Sequence, residues 1–208
     1  MAYFPFFIEL SGRDGLVVGG GAVAVRKIRT LLPFGPRLTA AAEEFSPELR
    51  EIPGLTLRQG PFDPALLAGR FFVVAATDDR DLNRRIADLC REDGILVNAV
   101  DDREACGFLF PALLRRGSLT MGVSTGGASP TGAAWVRDRA AEVVPPAFDE
   151  ILSFLEARRP RVLRALREEG DRSECLAALF RRCLESGGAL SEEEFAGILA
   201  SFGGGEES

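Results

Sequence analysis

The N-terminal half of the chain alternates short apolar runs with segments of helical periodicity. Largely apolar runs predict strands at residues 4–10, 16–18, 37–41, 55–58, 71–76 and 95–100. Apolar positions at helical spacing predict helices at 22–32 and 81–92 and a helical turn at 64–67. The run at 71–76 is apolar at every position, which is typical of a parallel strand buried on both faces. Strands that alternate with helices in this way predict an α/β fold with a Rossmann-type parallel sheet.

The pattern changes after about residue 110. A strand at 119–124 and a helix at 131–144 are followed only by helical patterns, at 151–157, 162–169, 174–185 and 192–201. Ser191 and Glu194 predict a capping box at the start of the last of these helices, and the tail at 203–208 is expected to be disordered. We therefore divide the chain into a Rossmann-type domain at 1–113, a connecting segment at 114–145 and a small C-terminal helical domain at 146–208.

A glycine-rich loop joins the strand at 16–18 to the helix that follows. Gly19, Gly21 and Ala24 match the pattern G-x-G-x-x-A, whose glycines permit a tight turn and a close approach of the backbone to a pyrophosphate. The helix N-terminus at Ala22 and Val23 would supply backbone donors and positive potential for the phosphates. The loop therefore predicts a dinucleotide site, and the alternative is a glycine-rich turn without a ligand.

An acidic residue near the end of the second strand of this unit would hold the adenosine ribose. The first acids after that strand are Glu43 and Glu44, which follow Gly19 by 24 and 25 residues and therefore come slightly late. We name Glu43 as the ribose ligand, and the alternative is that both are solvated charges near a helix cap. Arg37 opens the strand, too early to contact a 2′-phosphate, which favours NAD over NADP.

The predicted strands at 71–76 and 95–100 both end in polar residues. Thr77 and Asp78 follow the first, and Asn98 and Asp101 close the second. Because the carboxyl ends of parallel strands line the ligand crevice of such sheets, we expect these four side chains in the site. Alternatively, Asp78 or Asp79 only caps the next helix.

The chain contains no histidine. This absence excludes Ser-His-Asp and Cys-His catalysis and removes the commonest ligand of a catalytic metal. Proton transfer then depends on a carboxylate, on Lys27, Tyr3 or a cysteine, or on water. By its position Asp101 is the leading candidate for this role, whereas the neighbouring Asp102 has the alternative of being merely exposed.

Composition narrows the choice of partners and of compartment. The net charge of −6 argues against general nucleic-acid binding. The four cysteines form no CxxC pair, so we expect reduced structural thiols and no metal site. No apolar run approaches the roughly 20 residues of a membrane span, and the N-terminus lacks a basic leader, so we expect a cytoplasmic protein.

An arginine pair and a polar loop lie in the connecting segment. Arg115 and Arg116 could bind carboxylates by bidentate pairing, although each arginine taken singly is typical of a solvated surface. Ser124, Thr125 and Gly126 form the loop before the next helix. We expect these five residues to contact an anionic substrate.

Six motifs in order, with matching spacing, resemble the precorrin-2 dehydrogenases of siroheme synthesis, a family that includes bifunctional sirohydrochlorin ferrochelatases. The motifs are VVGGGAVAVRK at 17–27, GPF at 60–62, AATDD at 75–79, NAVD at 98–101, FLFP at 108–111 and STGGASP at 124–130. The resemblance runs from the first residues through the helical tail.

The resemblance implies the chemistry. NAD would accept a hydride from precorrin-2, a proton would be lost and sirohydrochlorin would form; in members with chelatase activity Fe(II) then enters the macrocycle. It also implies an active-site aspartate at Asp101 and a homodimer whose exchanged dimerisation region lies at 114–144. Family members can carry a serine, phosphorylated in some of them, where Thr125 stands. The alternative function is a non-catalytic NAD-sensing module that regulates a partner through its helical tail.

Overall fold

The computed structural model describes residues 3–204, in two compact units that meet between Phe110 and Pro111 in the sequence. The first unit contains five strands and three helices: β1 Asp14–Val18, α1 Ala22–Leu31, β2 Arg37–Ala42, α2 Pro47–Arg50, β3 Thr56–Gln59, β4 Phe72–Ala75, α3 Arg80–Glu92 and β5 Leu96–Ala99. Two 3-10 turns, Leu32–Phe34 and Pro64–Leu67, lie between them. Within these described residues, no helix is both long enough and apolar enough to cross a membrane.

The five strands form one parallel sheet in the order β3-β2-β1-β4-β5. This arrangement confirms the predicted α/β fold class. Successive residues of a strand face opposite sides of the sheet, and both sides are covered. Leu16 and Val18 pack on the α3 side with Ile86, whereas Val17 packs on the α1 side with Ile28.

The second unit begins with an antiparallel hairpin and continues with helices. Its elements are β6 Ala112–Arg116, β7 Leu119–Val123, α4 Pro130–Val143, α5 Phe148–Ala165, α6 Glu169–Ser186 and α7 Glu192–Ser201. The three last helices enclose a core of their own, which contains Ile151, Leu179 and Phe195. Ser191 and Glu194 form the predicted capping box of α7. The tail predicted to be disordered at 203–208 is wrong for Gly203 and Gly204, whose N–H groups donate to the carbonyls of Ala200 and Leu199, and from residue 205 onward it lies outside the described residues. The domain limits at 113 and 145 stay predictions.

The structure departs from the predicted elements in three places. Residues 4–10 form no strand, and Phe4, Phe6 and Phe7 are 76–78 % exposed. The strand β6 was missed. The two helices predicted at 151–157 and 162–169 are one helix, α5, with Pro160 inside it. Burial of Phe154 and Val162 on either side of Pro160 holds this helix together despite the lost backbone hydrogen bond.

All four cysteines lie in the described part of the chain and are free thiols. Three of them, Cys90, Cys175 and Cys183, are fully buried, and burial raises the pKa of the Cys90 thiol to about 11. They pack as small apolar side chains, in agreement with the expected structural role.

Candidate active site

The strands of the parallel sheet end level with one another. Val18 at the end of β1 pairs with Ala41 of β2 and with Ala75 of β4, and Ala75 pairs with Ala99 of β5. The loops that follow these strands therefore emerge at one edge of the sheet. Since the chain leaves β1 toward β2 on one side and later returns to β4 on the other, this edge contains the crevice in which α/β sheets bind ligands.

The first two glycines of the loop after β1 fit between neighbouring backbones. Gly19 has φ +135°, and a Cβ atom there would lie 2.2 Å from the carbonyl oxygen of Ala76. A Cβ atom on Gly20 would lie 1.8 Å from the carbonyl oxygen of Glu44. Both positions therefore require glycine for packing. Gly20 was not among the predicted site residues, although the run of three glycines could have drawn attention to it.

The third glycine is different, because it borders open space. Gly21 is the N-cap of α1, and no described atom other than its chain neighbours lies within 4 Å of the place that a Cβ atom would take. Among the described residues no side chain caps this helix, and its first turn holds no acid. The backbone donors at Ala22 and Val23 therefore have no competing anion, and the exposed N-terminus fits the pyrophosphate of a dinucleotide.

The acid predicted for the ribose lies directly after β2. This strand extends to Ala42, one residue further than predicted, so Glu43 is the first residue beyond its end and is exposed. Arg37 lies at the opposite end of β2, where its guanidinium donates to both carboxylate oxygens of Asp14, at 2.9 and 2.6 Å. These hydrogen bonds lower the pKa of Asp14 below its ordinary value.

The loop after β4 is organised by a residue that the sequence reasoning missed. Asn83 of α3 is 2 % exposed, and its Oδ1 accepts from the backbone N–H of Thr77 at 3.1 Å and from the Thr77 hydroxyl at 2.8 Å. Its Nδ2 donates to the Thr77 carbonyl at 2.9 Å. The signal was a polar residue on the apolar face of α3, which it shares with Ile86 and Cys90. Thr77 is thereby fixed at the edge of the sheet.

The two aspartates after Thr77 have different surroundings. The Asp79 carboxylate accepts from the backbone N–H groups of Asp81 and Leu82, at 2.9 and 3.0 Å, and is therefore the cap of α3. Asp78 is exposed beside it and does not serve as the cap.

Asn98 and Asp102 hold the segment after β5 in place. Asn98 is 5 % exposed, and its Nδ2 donates to the Phe108 carbonyl at 3.0 Å. Asp102 accepts from the backbone N–H of Ala105 at 3.1 Å and pairs with Arg84 at 3.1 Å, so it is more than an exposed charge. Both side chains have structural partners, and the cofactor contact predicted for Asn98 stays a prediction.

Asp101 lies between these two anchors. Its φ of +63° is left-handed, and it is the one residue other than glycine with a positive φ among residues 3–204. Its side chain is exposed at the edge of the sheet that also carries Gly21. Unusual backbone conformations of this kind occur preferentially at functional sites, where the surrounding structure fixes them.

Lys27 of α1, the only lysine of the chain, lies near this segment. Its Nζ lies 3.7 Å from the centre of the Phe110 ring. The pKa of Lys27 is lowered to about 8, chiefly by burial and also by the charge of Arg26, and interactions with Cys106 and Asp101 oppose this shift. The ammonium group of Lys27 therefore covers the Phe110 end of the segment that follows Asp101.

The five residues predicted to bind substrate belong to the second unit. Arg116 donates to the carbonyls of Ala141, at 3.0 Å, and of Val144, and so fastens the hairpin to the end of α4. Arg115 lies on the same strand and is exposed. Ser124 accepts from the backbone N–H of Gly126 at 3.1 Å. The contact of these residues with a substrate stays a prediction.

Thr125 is held within the same loop. Its hydroxyl donates to the Ser129 carbonyl at 2.9 Å and accepts from the Ser129 N–H at 3.0 Å, and Ser129 in turn caps α4. The hydroxyl is exposed, yet it already has two partners inside the loop.

Comparisons with known proteins agree with the nucleotide-binding geometry. A family model described as "Putative NAD(P)-binding" matches residues 6–112, and one described as "Sirohaem biosynthesis protein central" matches residues 116–139. The siroheme synthase of Thioalkalivibrio sulfidiphilus is 40% identical over 166 residues, which are 78% of this chain and 34% of that protein. The siroheme synthase of Sodalis glossinidius is 35% identical over 175 residues, 83% of this chain and 37% of that protein.

A solved structure of SirC, a precorrin-2 dehydrogenase, is similar with a TM-score of 0.73 at 24% identity, over 97% of this chain and 99% of that chain. At this identity the likeness concerns the fold. The chain spans about a third of the length of the two siroheme synthases. Because the first family model covers more than half of the chain, the protein belongs to this NAD(P)-binding family and shares its domain with siroheme synthases.

Proposed function

We propose that the chain catalyses the NAD-dependent oxidation of precorrin-2 to sirohydrochlorin, in the biosynthesis of siroheme. The observation that carries the proposal is that an open helix N-terminus at Gly21 and a strained, exposed carboxylate at Asp101 lie at one edge of one sheet. Similarity to siroheme synthases, which are named for the product siroheme, supports the choice of substrate.

The residues of this edge divide the work of binding and proton transfer. NAD+, when bound, accepts the hydride that leaves the substrate. The N–H groups of Ala22 and Val23 would hold the pyrophosphate, and the Glu43 carboxylate would accept hydrogen bonds from the ribose hydroxyls. Oxidation removes a hydride and a proton from the macrocycle, and Asp101 would accept that proton and pass it to solvent, to which it is exposed.

The proposed cofactor is NAD rather than NADP. A 2′-phosphate needs a cation near the end of β2, and the acid Glu43 occupies the first position there. Arg37, the arginine of this strand, lies at its other end and is paired with Asp14. A measured preference for NADP would contradict this assignment.

Anaerobic incubation with precorrin-2 and NAD+ tests the proposal directly. The expected result is formation of NADH together with the absorption spectrum of sirohydrochlorin. No NADH from authentic substrate would refute the dehydrogenase. Binding of precorrin-2 and NAD without turnover would instead favour the alternative, a non-catalytic NAD-sensing dimer.

The Gly21→Ala variant tests the cofactor site separately. A methyl group there meets no described atom, so the fold is kept, but it occupies the space proposed for the pyrophosphate. We expect the Kd for NAD to rise about tenfold, equivalent to about 1.4 kcal/mol, and the midpoint of thermal unfolding to stay nearly unchanged. Gly197→Ala, also unobstructed but in α7, is the matched control and should leave the Kd for NAD unchanged.

The second unit would supply the substrate contacts and the dimer. We propose that β6, β7 and α4 mediate a homodimer, because Trp135 is 62 % exposed and Val143 80 % exposed on α4. Arg115 and the loop at Ser124 and Thr125 would then face the carboxylates of the tetrapyrrole. Light scattering of a Trp135→Glu variant checks this interface: a wild-type dimer that persists in the variant would contradict it.

The proposal also includes a second reaction, the insertion of iron, and the cellular compartment of the protein. The resemblance to bifunctional enzymes motivates Fe(II) as a second substrate, and an anaerobic assay with sirohydrochlorin and Fe(II) or Co(II) separates a chelatase from a dehydrogenase alone. A cytoplasmic location is proposed on the sequence features given above and is checked by cell fractionation.

A further inference from the structure

The left-handed turn at Asp101 is held by the residues on either side of it. On one side, the N–H of Val100 donates to the Ala75 carbonyl of β4 at 2.9 Å, which continues the pairing of β5 beyond its end. On the other side, the carboxylate of Asp102 contacts two further groups. A residue keeps an unfavourable conformation such as φ +63° only where the surrounding structure fixes it, so these neighbours are part of the site.

Both oxygens of the Asp102 carboxylate have a partner. Oδ1 accepts from the backbone N–H of Ala105 at 3.1 Å, which closes the turn that follows Asp101. Oδ2 lies 3.1 Å from Nη1 of Arg84 on α3. The contact with Ala105 is local and would move together with the turn. The contact with Arg84 is different, because it ties the turn to a helix that packs on the sheet.

The helix α3 also holds the same segment at a second point and the neighbouring loop at a third. Arg91, two turns beyond Arg84, donates to the Glu104 carbonyl at 2.7 Å. Asn83, directly before Arg84, binds the backbone N–H and carbonyl of Thr77. One helix therefore fixes the loops after β4 and after β5, and Arg84 is its contact nearest to Asp101 in the chain.

The ion pair between Arg84 and Asp102 has the strength that this role requires. The side chain of Asp102 is 27 % exposed and that of Arg84 is 55 % exposed, so the pair is partly shielded from solvent. Fully exposed ion pairs stabilise a protein little, and hydrogen bonds to a charged carboxylate are stronger than those between neutral groups. The strain of a single left-handed residue is of the same order. Loss of the pair is therefore sufficient to release the turn.

We propose that Arg84 is a positioning residue for the proposed reaction: through Asp102 it holds the turn at Asp101 in its left-handed conformation at the edge of the sheet. The proposal rests on the proposed function, because it takes Asp101 as the proton acceptor. In a purely structural role, the pair would only fasten α3 to the segment after β5. Its loss would then lower the stability of the protein without changing the conformation of residue 101.

The first test measures the backbone strain at residue 101 without any turnover. Glycine adopts φ +63° without strain and alanine does not, so the midpoint of thermal unfolding should be roughly 2–4 °C higher for Asp101→Gly than for Asp101→Ala. In an Arg84→Met background the turn can relax, and this difference should fall below about 1 °C. A difference that stays the same in the Arg84→Met background would overturn the proposal.

Two further backgrounds make this measurement specific. Asp102→Asn keeps an acceptor for Ala105 but loses the ion pair, so it should reduce the difference in the same way as Arg84→Met. Arg85→Met is the matched control, because Arg85 is an exposed arginine at the next position of α3, and it should leave the full difference in place. A full difference in Asp102→Asn, or an equal loss in Arg85→Met, would also overturn the proposal.

The second test uses precorrin-2 oxidation. Arg84→Met and Asp102→Asn should each lower kcat about threefold to fivefold, at an unchanged Kd for NAD. The double variant should be no slower than either single variant, because both substitutions remove the same contact. Arg84→Lys keeps the charge and should recover part of the lost kcat. Wild-type kcat in Arg84→Met, or effects that multiply in the double variant, would overturn the positioning role.

The failure of this proposal and the failure of the proposed function are distinguishable. If the wild-type protein does not oxidise precorrin-2, the proposed function is refuted, and the unfolding midpoints still decide whether Arg84 holds the turn. If turnover is present and the difference between the glycine and alanine variants is the same in every background, the dehydrogenase stands and the positioning role is refuted.

Discussion

Substitutions of Asp101 can separate two effects of this residue, its proposed role as proton acceptor and the backbone strain of its left-handed conformation. A residue with a Cβ atom in the left-handed region costs roughly 1–2 kcal/mol, and aspartate tolerates it better than alanine because its short polar side chain can form local hydrogen bonds. Asp101→Gly removes this cost but increases the conformational entropy of the unfolded chain, which takes back about 0.4–1 kcal/mol. We therefore expect Asp101→Gly to stabilise the protein by about 0.5 kcal/mol and Asp101→Ala to destabilise it by a similar amount.

The difference between the two variants is measurable. For a chain of this length, about 1 kcal/mol corresponds to roughly 2–4 °C in the midpoint of thermal unfolding, with the glycine variant the more stable. Both variants lack the carboxylate, so both should lose about 10²-fold or more in kcat, the usual contribution of a general base. Asp102→Asn, at the neighbouring position, keeps the acceptor for Ala105 and should change kcat only a few-fold.

Two results would refute this reasoning, each at a different step. An Asp101→Gly variant that is less stable than Asp101→Ala would show that the left-handed conformation carries no strain. A glycine variant with wild-type turnover would show that the carboxylate takes no part in the reaction.

The remaining predictions concern the supports of the site. Gly20→Ala places a Cβ atom 1.8 Å from the Glu44 carbonyl oxygen, so it should destabilise the protein by about 1–3 kcal/mol and weaken NAD binding, as measured by urea unfolding and calorimetry. Asn83→Ala removes the side-chain partner of the part-buried backbone N–H and carbonyl of Thr77, so it should cost about 2 kcal/mol and raise the Kd for NAD; unchanged stability would contradict this. Because the folded-state pKa of Lys27, about 8, lies below its ordinary 10.5, the unfolded chain binds more protons between these values. The wild-type protein should therefore gain stability relative to Lys27→Met as the pH rises from 8 to 10.5, and a relative loss in urea unfolding would contradict the buried ammonium.

Much of the first unit could be predicted because its signals are local. The apolar run at 71–76 indicates a strand that is buried on both faces, and the glycine loop at Gly19 indicates a tight turn that can admit a phosphate. Neither signal depends on residues that are distant in sequence. The order of the sheet then places the ends of β1, β4 and β5 together, which is why Gly21 and Asp101 could be predicted from sequence to lie at one edge of the sheet.

The misses depend on partners that are distant in sequence. Residues 4–10 have the composition of a strand, but both edges of β1 are already taken by β2 and β4, and the segment pairs with no strand. Pro160 predicts a break, yet burial of the helix on either side outweighs one lost hydrogen bond. In the sequence, Asn83 is only a polar interruption of the apolar face of a helix. Its role becomes evident from its hydrogen bond with Thr77, which the fold places beside it.

Asp101 and Lys27 share one physical property, which is that each is a poorer choice for stability than a simple substitute. Glycine would adopt φ +63° without strain, and an apolar side chain would cover Phe110 without the loss of hydration that lowers the pKa of Lys27. Departures from local consistency of this kind are expected where function and not folding determines the residue. Asp101 lies on the segment after β5, and Lys27 of α1 contacts Phe110 of that same segment, so both departures lie at the proposed site and above the apolar core of the sheet.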